Sequence, residues 1–315
     1  MQCPKCGFEQ PQRAQECAHC GVIFVKLAEA EAFPHMHARP ENPMPADTAP
    51  DAFEKGEIVH DGRIGAKELK ILGMGLVVAI IVYAVPFTRF VMSALVTLFH
   101  ELGHAVVAWS LGIPALPAFD FTYGGGITSY GQFHLSIALV IAGGFVFLAY
   151  RFRRNWKTLV VLTAVAGVWL FFVSSEWRRG FACAWGGHVS EFVLSAIFFY
   201  MALAGVGFRI PEIERPLGAF IAFFVQIHSI GFALKLRSDP NFLEWYRQGK
   251  GGMLMNDLES VALDLRIHLG TRSTIESVAG ALLFLPVLLF AIALAWYFYR
   301  AHVHRLVHAL LAVEG

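Results

Sequence analysis

The sequence predicts an all-α polytopic membrane protein with a small cysteine module at its N-terminus, and three observations predict it. Of 315 residues, 56% are hydrophobic and only 16% charged, whereas a soluble globular chain sits near half and near a quarter. From Leu69 onward, apolar runs of about bilayer length alternate with charges, Gly and Pro. Two CxxC pairs stand ahead of any such run. A formal net charge of +1 argues against nucleic acid as a partner, since that needs a basic face.

The N-terminal module spans 1–27. Cys3-x-x-Cys6-Gly and Cys17-x-x-Cys20-Gly each present two thiolates from a tight turn. The glycine after each pair permits the backbone to aim N–H groups at sulfur. Four soft thiolates in this spacing favour a closed tetrahedral Zn²⁺ site. The opening MQCPKCGFEQ lacks an apolar stretch of signal-peptide type, so reduced, metal-binding thiols are expected rather than disulfides. The module resembles a zinc ribbon. It is too short to hold a core alone, so structural zinc should fold it, and its expected role is docking a protein partner or regulation. Residues 28–66 are rich in Ala, Glu and Pro, with prolines recurring from Pro34 to Pro50. Such a stretch cannot build a core and reads as a disordered linker; His35 and His37 within it carry no motif.

The membrane domain, 67–315, reads as about seven transmembrane helices: 69–87, 90–111, 133–150, 157–175, 184–207, 217–236 and 276–299. Arg151, Arg153, Arg154 and Lys157 punctuate one connection, and Arg178 with Arg179 the next. Lys and Arg fall almost evenly on alternate sides, so the positive-inside rule gives no orientation. A re-entrant segment would shift that parity. The candidate is 113–132, which has no Lys or Arg and is rich in Gly and β-formers. Irregular backbone at membrane depth is tolerated only where it is buried or lines a watery cavity, so this re-entrant or β segment is expected to be a cavity wall. Cys183, alone on an apolar run, reads as a buried small hydrophobe.

The second predicted span carries His100-Glu101-Leu102-Gly103-His104. Histidines four apart share a helix face and can point ring nitrogens at one metal ion, with Glu101 beside them as general base for a water on that metal. Ionisable groups at bilayer depth are costly and by default functional, and here three fall within five residues. Gly103 leaves room for close packing. No G-x-S-x-G or phosphate-binding loop accompanies the motif.

HELGH in an apolar helix, followed by AVVAWSLGI, resembles the site-2 protease group of intramembrane metallopeptidases (the M50 families). GGGITSYGQ at 124–132 is similar to the segment after the motif helix in the M50B-type branch. The stretch MNDLESVALDLRIHLGTRSTIESVAG is similar to that branch's short Asp-bearing helix before the last span. The resemblance covers most of 69–299, and HELGH is its one highly specific part. It implies a catalytic Zn²⁺ held by His100, His104 and a third ligand, a membrane-protein substrate, and a location in the bacterial cytoplasmic membrane. In that group the third ligand is an Asp in an NPxxDG-like motif, which this chain lacks. Asn256-Asp257 matches best by position, making Asp257 a candidate. His188 is the alternative, with Glu191 three residues on sharing its face; either could instead orient a ligand imidazole. His228 reads as a hydrogen-bond donor between helices, and His302, His304 and His308 as a solvated helix end. Peptide-bond hydrolysis is the leading expectation. A non-catalytic membrane metal-binding protein, handling metal or acting as a scaffold whose ribbon docks a partner, is the alternative.

Overall fold

A computed structural model describes residues 64–120, 125–248 and 255–311, all within the unit Asp61–Gly315. The four-cysteine module, with Cys3, Cys6, Cys17 and Cys20, lies outside the described residues, as does the linker through residue 63.

The helices are α1 (Ala66–Ala84), α2 (Pro86–Ser110), α3 (Leu135–Arg151), α4 (Trp156–Val173), α5 (Glu176–Ala204), α6 (Pro211–Ser238), α7 (Pro240–Gln248), α8 (Asp257–Leu269), α9 (Ile275–Leu282), α10 (Phe284–Phe298) and α11 (Arg300–Leu311). Strands β1 (Ala115–Asp120) and β2 (Gly125–Tyr130) stand between α2 and α3. Six of the predicted spans each fall mainly on one helix, and 276–299 covers both α9 and α10. Among the described residues, five segments are long and apolar enough to cross a membrane: α2, α4, α5, α6 and the continuous stretch Ile275–Phe298. The chain is an integral membrane protein, mostly helical. Large apolar residues such as Val140, Phe147, Val160, Val168 and Val287 face outward, as helices surrounded by lipid require and water would not tolerate in such number.

Proline sets two boundaries. Val85, ahead of Pro86, is extended (φ −87°, ψ 118°), because a residue before proline avoids the helical region. That ends α1 and lets α2 begin with proline in its first turn. Pro286 lacks an N–H and crowds the carbonyl four residues back, and α9 ends there, at Leu282. At the far end of α5, the buried Arg215 of α6 caps the helix: Nε donates to the Ala202 carbonyl (2.9 Å) and Nη2 to that of Leu203 (3.1 Å). A cation at a helix C-terminus meets its unpaired carbonyls. Glu68 of α1 lies 3.4 Å from the same Nη2, tying three helices together.

The helices that matter for the site are α2, α5 and α6, packed on one another, with α8 against α5. Within 113–132, β1 pairs antiparallel with β2, with Ala115 opposite Tyr130. The hairpin packs along α2, so the expectation of a β segment holds. An apolar core of Phe192, Leu236, Tyr246, Leu258, Val261 and Val278 joins α5 through α9 and seats the start of α8.

Candidate metal centre

The helix α2 delivers His100 and His104 as the i, i+4 spacing requires, and their surroundings fix which nitrogen each ring offers. The Nδ1 of His104 lies 2.6 Å from the carbonyl oxygen of Cys183. A carbonyl only accepts, so this nitrogen carries the proton and Nε2 presents a lone pair. The Nδ1 of His100 lies 2.6 Å from Glu191 Oε1. The other oxygen of Glu191 accepts from the Ser229 hydroxyl. With His100 Nδ1 donating to Glu191, its Nε2 also presents a lone pair.

Both lone pairs converge on Asp257. His100 Nε2 is 3.0 Å and His104 Nε2 3.2 Å from Asp257 Oδ2, and the two nitrogens are 2.9 Å apart. One proton can serve only one of these contacts; a single cation satisfies all three. Tetrahedral Zn²⁺ with bonds of about 2.0–2.1 Å sets its donors about 3.3–3.4 Å apart, so the triangle fits a small divalent ion within a few tenths of an ångström. Burial alone would raise the Asp257 carboxyl, but its hydrogen bonds with the two histidines overcome that and hold it well below the ordinary range. His188 also belongs to the cluster: it, His100 and Asp257 each offer a ligand atom within 4.8 Å of the others. Its Nδ1, however, is 3.2 Å from Glu191 Oε1, and its ring stacks on Phe232 at 5.6 Å. The much shorter contacts of His104 make it the better third member of the donor set with His100 and Asp257.

Why the rings sit so close to α5 is legible in the glycines at the crossing. A Cβ on Gly187 would fall 2.6 Å from His100 Cε1 and 2.7 Å from its Nε2, and it would also strike His104 Nε2. A Cβ on Gly103 would strike Ser190 and the Gly186 carbonyl. Small residues let two membrane helices approach backbone to backbone, and the imidazoles occupy the room this leaves. Ser190 closes the contact, donating to the Phe99 carbonyl at 2.6 Å.

Glu101 is buried under the hairpin. The Thr128 hydroxyl lies 2.6 Å from Glu101 Oε2 and 3.2 Å from the Glu101 backbone carbonyl. Gly126 passes so near that any Cβ would overlap the carboxylate. Thr128 therefore fixes the carboxylate from above, while Glu101, His104 and Asp257 line a cavity of about 870 Å³ that also takes in Tyr130, Phe133, Arg179 and Cys183. Neither His100 nor His188 lines it; they form the rear of the centre.

Asp257 comes from a different part of the chain. It is the first residue of α8, held there by Tyr246 of α7. The Asn256 amide donates to the Tyr246 carbonyl, and the Tyr246 phenol accepts from the Leu258 N–H at 3.3 Å. That N–H is one of the orphan donors of a helix start. Burial pushes the phenol well above its ordinary value, so it stays a neutral hydroxyl.

The structure thus brings His100, Glu101, His104, Asp257, His188 and Glu191 together. Glu191 takes the orienting role considered for it, and Cys183 is buried, its carbonyl holding His104. One expectation is corrected. His228 makes no bond to a neighbouring helix among the described residues: its Nδ1 is buried without a partner, and its ring lies against Tyr83 and Phe224. His302, His304 and His308 lie on exposed α11, away from the centre. Sequence reasoning missed Thr128, Ser229 and Tyr246. Ser229 shares the α6 face of buried Gln226, a polar pair at i, i+3 that could have flagged it; Thr128 and Tyr246 left no such signal. Scans against known families, curated proteins and solved structures return no match.

Proposed function

We propose that this chain is an intramembrane zinc metallopeptidase of the M50 kind, hydrolysing peptide bonds in or beside membrane-embedded segments. The observation that carries the reading is the triangle of His100 Nε2, His104 Nε2 and Asp257 Oδ2, with sides of 2.9–3.2 Å, set beside a buried glutamate at the wall of a cavity. Two His, one carboxylate and an open side are the donor set of a catalytic rather than a structural zinc site. Zinc held there by His100, His104 and Asp257 would polarise a carbonyl and lower the pKa of water from about 15.7 to about 7. The chain's own residues do the rest. Glu101 takes a proton from the attacking water and returns it to the leaving nitrogen, as one C–O bond forms and one C–N bond breaks. Thr128 holds the carboxylate for that transfer. The cavity admits water and an extended stretch of substrate, which a transmembrane helix must unwind to supply. The 19-residue α1 and the shorter apolar α3 would cross the membrane with the other five segments.

Glu101→Gln tests the reading. Purified variant and parent should hold the same zinc by mass spectrometry, while cleavage of a casein or membrane-peptide substrate falls at least about a thousandfold. Residual cleavage near the parent's rate would remove Glu101 from the chemistry. A second reading, metal handling without catalysis, draws on His188: a fourth nitrogen behind the triangle could close the ion's coordination. Under that reading Glu101→Gln changes nothing, and His188→Ala weakens metal binding.

A further inference from the structure

Arg178 and Arg179 are neighbours in the first turns of α5 and turn opposite ways. Arg178 folds back on α4: its Nη1 is 2.8 Å from Ser174 Oγ and 3.3 Å from the Phe171 carbonyl, and its guanidinium lies 4.2 Å over the Phe171 ring. Arg179 lines the cavity that holds Glu101, His104 and Asp257. Its Nη1 donates to the Val173 carbonyl at 2.5 Å, and its guanidinium stands 4.2 Å over Phe133. Those two contacts fix its position and use one of five N–H donors. Among the described residues no carboxylate lies within 4.0 Å of it. Glu176, on the same cavity wall, does not pair with it. A half-buried cation held in place without a counter-ion carries a desolvation cost that an incoming anion removes.

Its distance from the chemistry follows from helix geometry. Arg179 precedes Cys183, whose carbonyl holds His104, by one turn, or about 6 Å of rise. Side chains lean toward the helix N-terminus, so the guanidinium stands about 6–11 Å from the metal site. An extended chain covers that in two or three residues at about 3.3 Å each. The wall between is the far end of β2 and Phe133, a surface along which an extended chain can lie.

We propose that Arg179 is a specificity-determining residue that receives a carboxylate of the substrate, two or three residues from the bond cleaved. This rests on the peptidase reading. The carboxylate is either an acidic side chain or the substrate's own C-terminus. A lipid phosphate is the weaker candidate, because Arg179 lines the cavity, whereas Arg178 folds back on Ser174 and Phe171.

Short peptides ending in a hydroxamate, which grips a zinc ion without needing turnover, test the assignment on the full-length, zinc-loaded protein in detergent. One series carries the hydroxamate at its C-terminus and one at its N-terminus. Each places Glu, Gln or Lys, with the opposite end blocked, at two to four residues from the hydroxamate; the second series adds an arm with Ala and a free terminal carboxylate. We expect the Glu or free-carboxylate peptide to bind about tenfold tighter than the Gln peptide at one spacing. That preference should persist in Arg179→Lys, vanish in Arg179→Gln and shift to Lys in Arg179→Glu, with acetohydroxamate affinity equal in all four proteins. Equal binding of Glu and Gln peptides to the parent overturns the proposal. So does an Arg179→Gln variant that weakens neutral and acidic peptides alike, which marks a structural role. Loss of phosphatidylglycerol-vesicle binding in Arg179→Gln without peptide discrimination assigns the residue to lipid instead. If acetohydroxamate fails to bind the parent, it is the metal reading that has failed, and this proposal falls with it.

Discussion

The two halves of the candidate metal centre are built differently. His100 and His104 come from one helix wedged against another, their rings fitted over Gly187 and their Nδ1 atoms tied to Glu191 and to the Cys183 carbonyl. Every partner there is itself part of a long helix in the core. Asp257 instead sits at the first residue of a short helix outside the membrane spans, held in place by Tyr246 through one carbonyl and one hydroxyl. Its side chain is 25% exposed, against 4% for His104. The histidine pair is organised by helix packing, whereas Asp257 depends on a latch that local opening can release.

Breaking the packed half should do most damage. Gly187→Ala sets a methyl group against both imidazoles, and we expect metal content to fall by one ion per chain, measured by mass spectrometry on purified protein. A retained ion would mean that α2 and α5 can separate without cost. Glu191→Gln comes next. It keeps the volume but weakens the grip on His100, and partners of this kind change metal affinity by roughly 10–100-fold, readable by competition with a chromophoric chelator. Tyr246→Phe probes the latch. It removes one acceptor, worth about 1 kcal/mol, so affinity should drop about fivefold and amides at the start of α8 should exchange hydrogen faster, while those of α2 do not. Faster exchange in both elements would show that the halves are not independent. Thr128→Val should leave metal affinity untouched and slow turnover about tenfold by releasing Glu101; any loss of metal would tie the hairpin to the donors rather than to the base.

How much was legible in advance follows the same division. His100, Glu101 and His104 were legible because a helix repeats every 3.6 residues, so spacing alone puts both rings on one face. The apolar runs announced the helices, and the absence of Lys and Arg with abundant Gly in 113–132 marked the hairpin that covers Glu101. Asp257 lies 153 residues beyond His104, and no local period reaches across that interval. Asn256-Asp257 was only one candidate beside His188 and Glu191 until the fold set Oδ2 against both ring nitrogens. The split between His188 and Glu191 was undecidable from spacing, because both lie on one face of α5; the fold sets Glu191 against His100 Nδ1, with the Ser229 hydroxyl of α6 on its other oxygen. Tyr246 acts partly through its backbone, and Thr128 is an ordinary strand residue, so neither carries a mark in the sequence.

Cys183 contributes to the centre through a main-chain oxygen that any residue would supply, while its thiol lies in an apolar cluster with Ala108 and Leu111. It is also the one cysteine among the described residues; the other four of the chain's five belong to the N-terminal module. An alanine there would strip the membrane unit of native thiols and keep the carbonyl that holds His104. Labels could then be attached at will, one on the exposed edge of the hairpin and one on α8. The changing separation between two such probes would time the release of Asp257 against the entry of a bound chain.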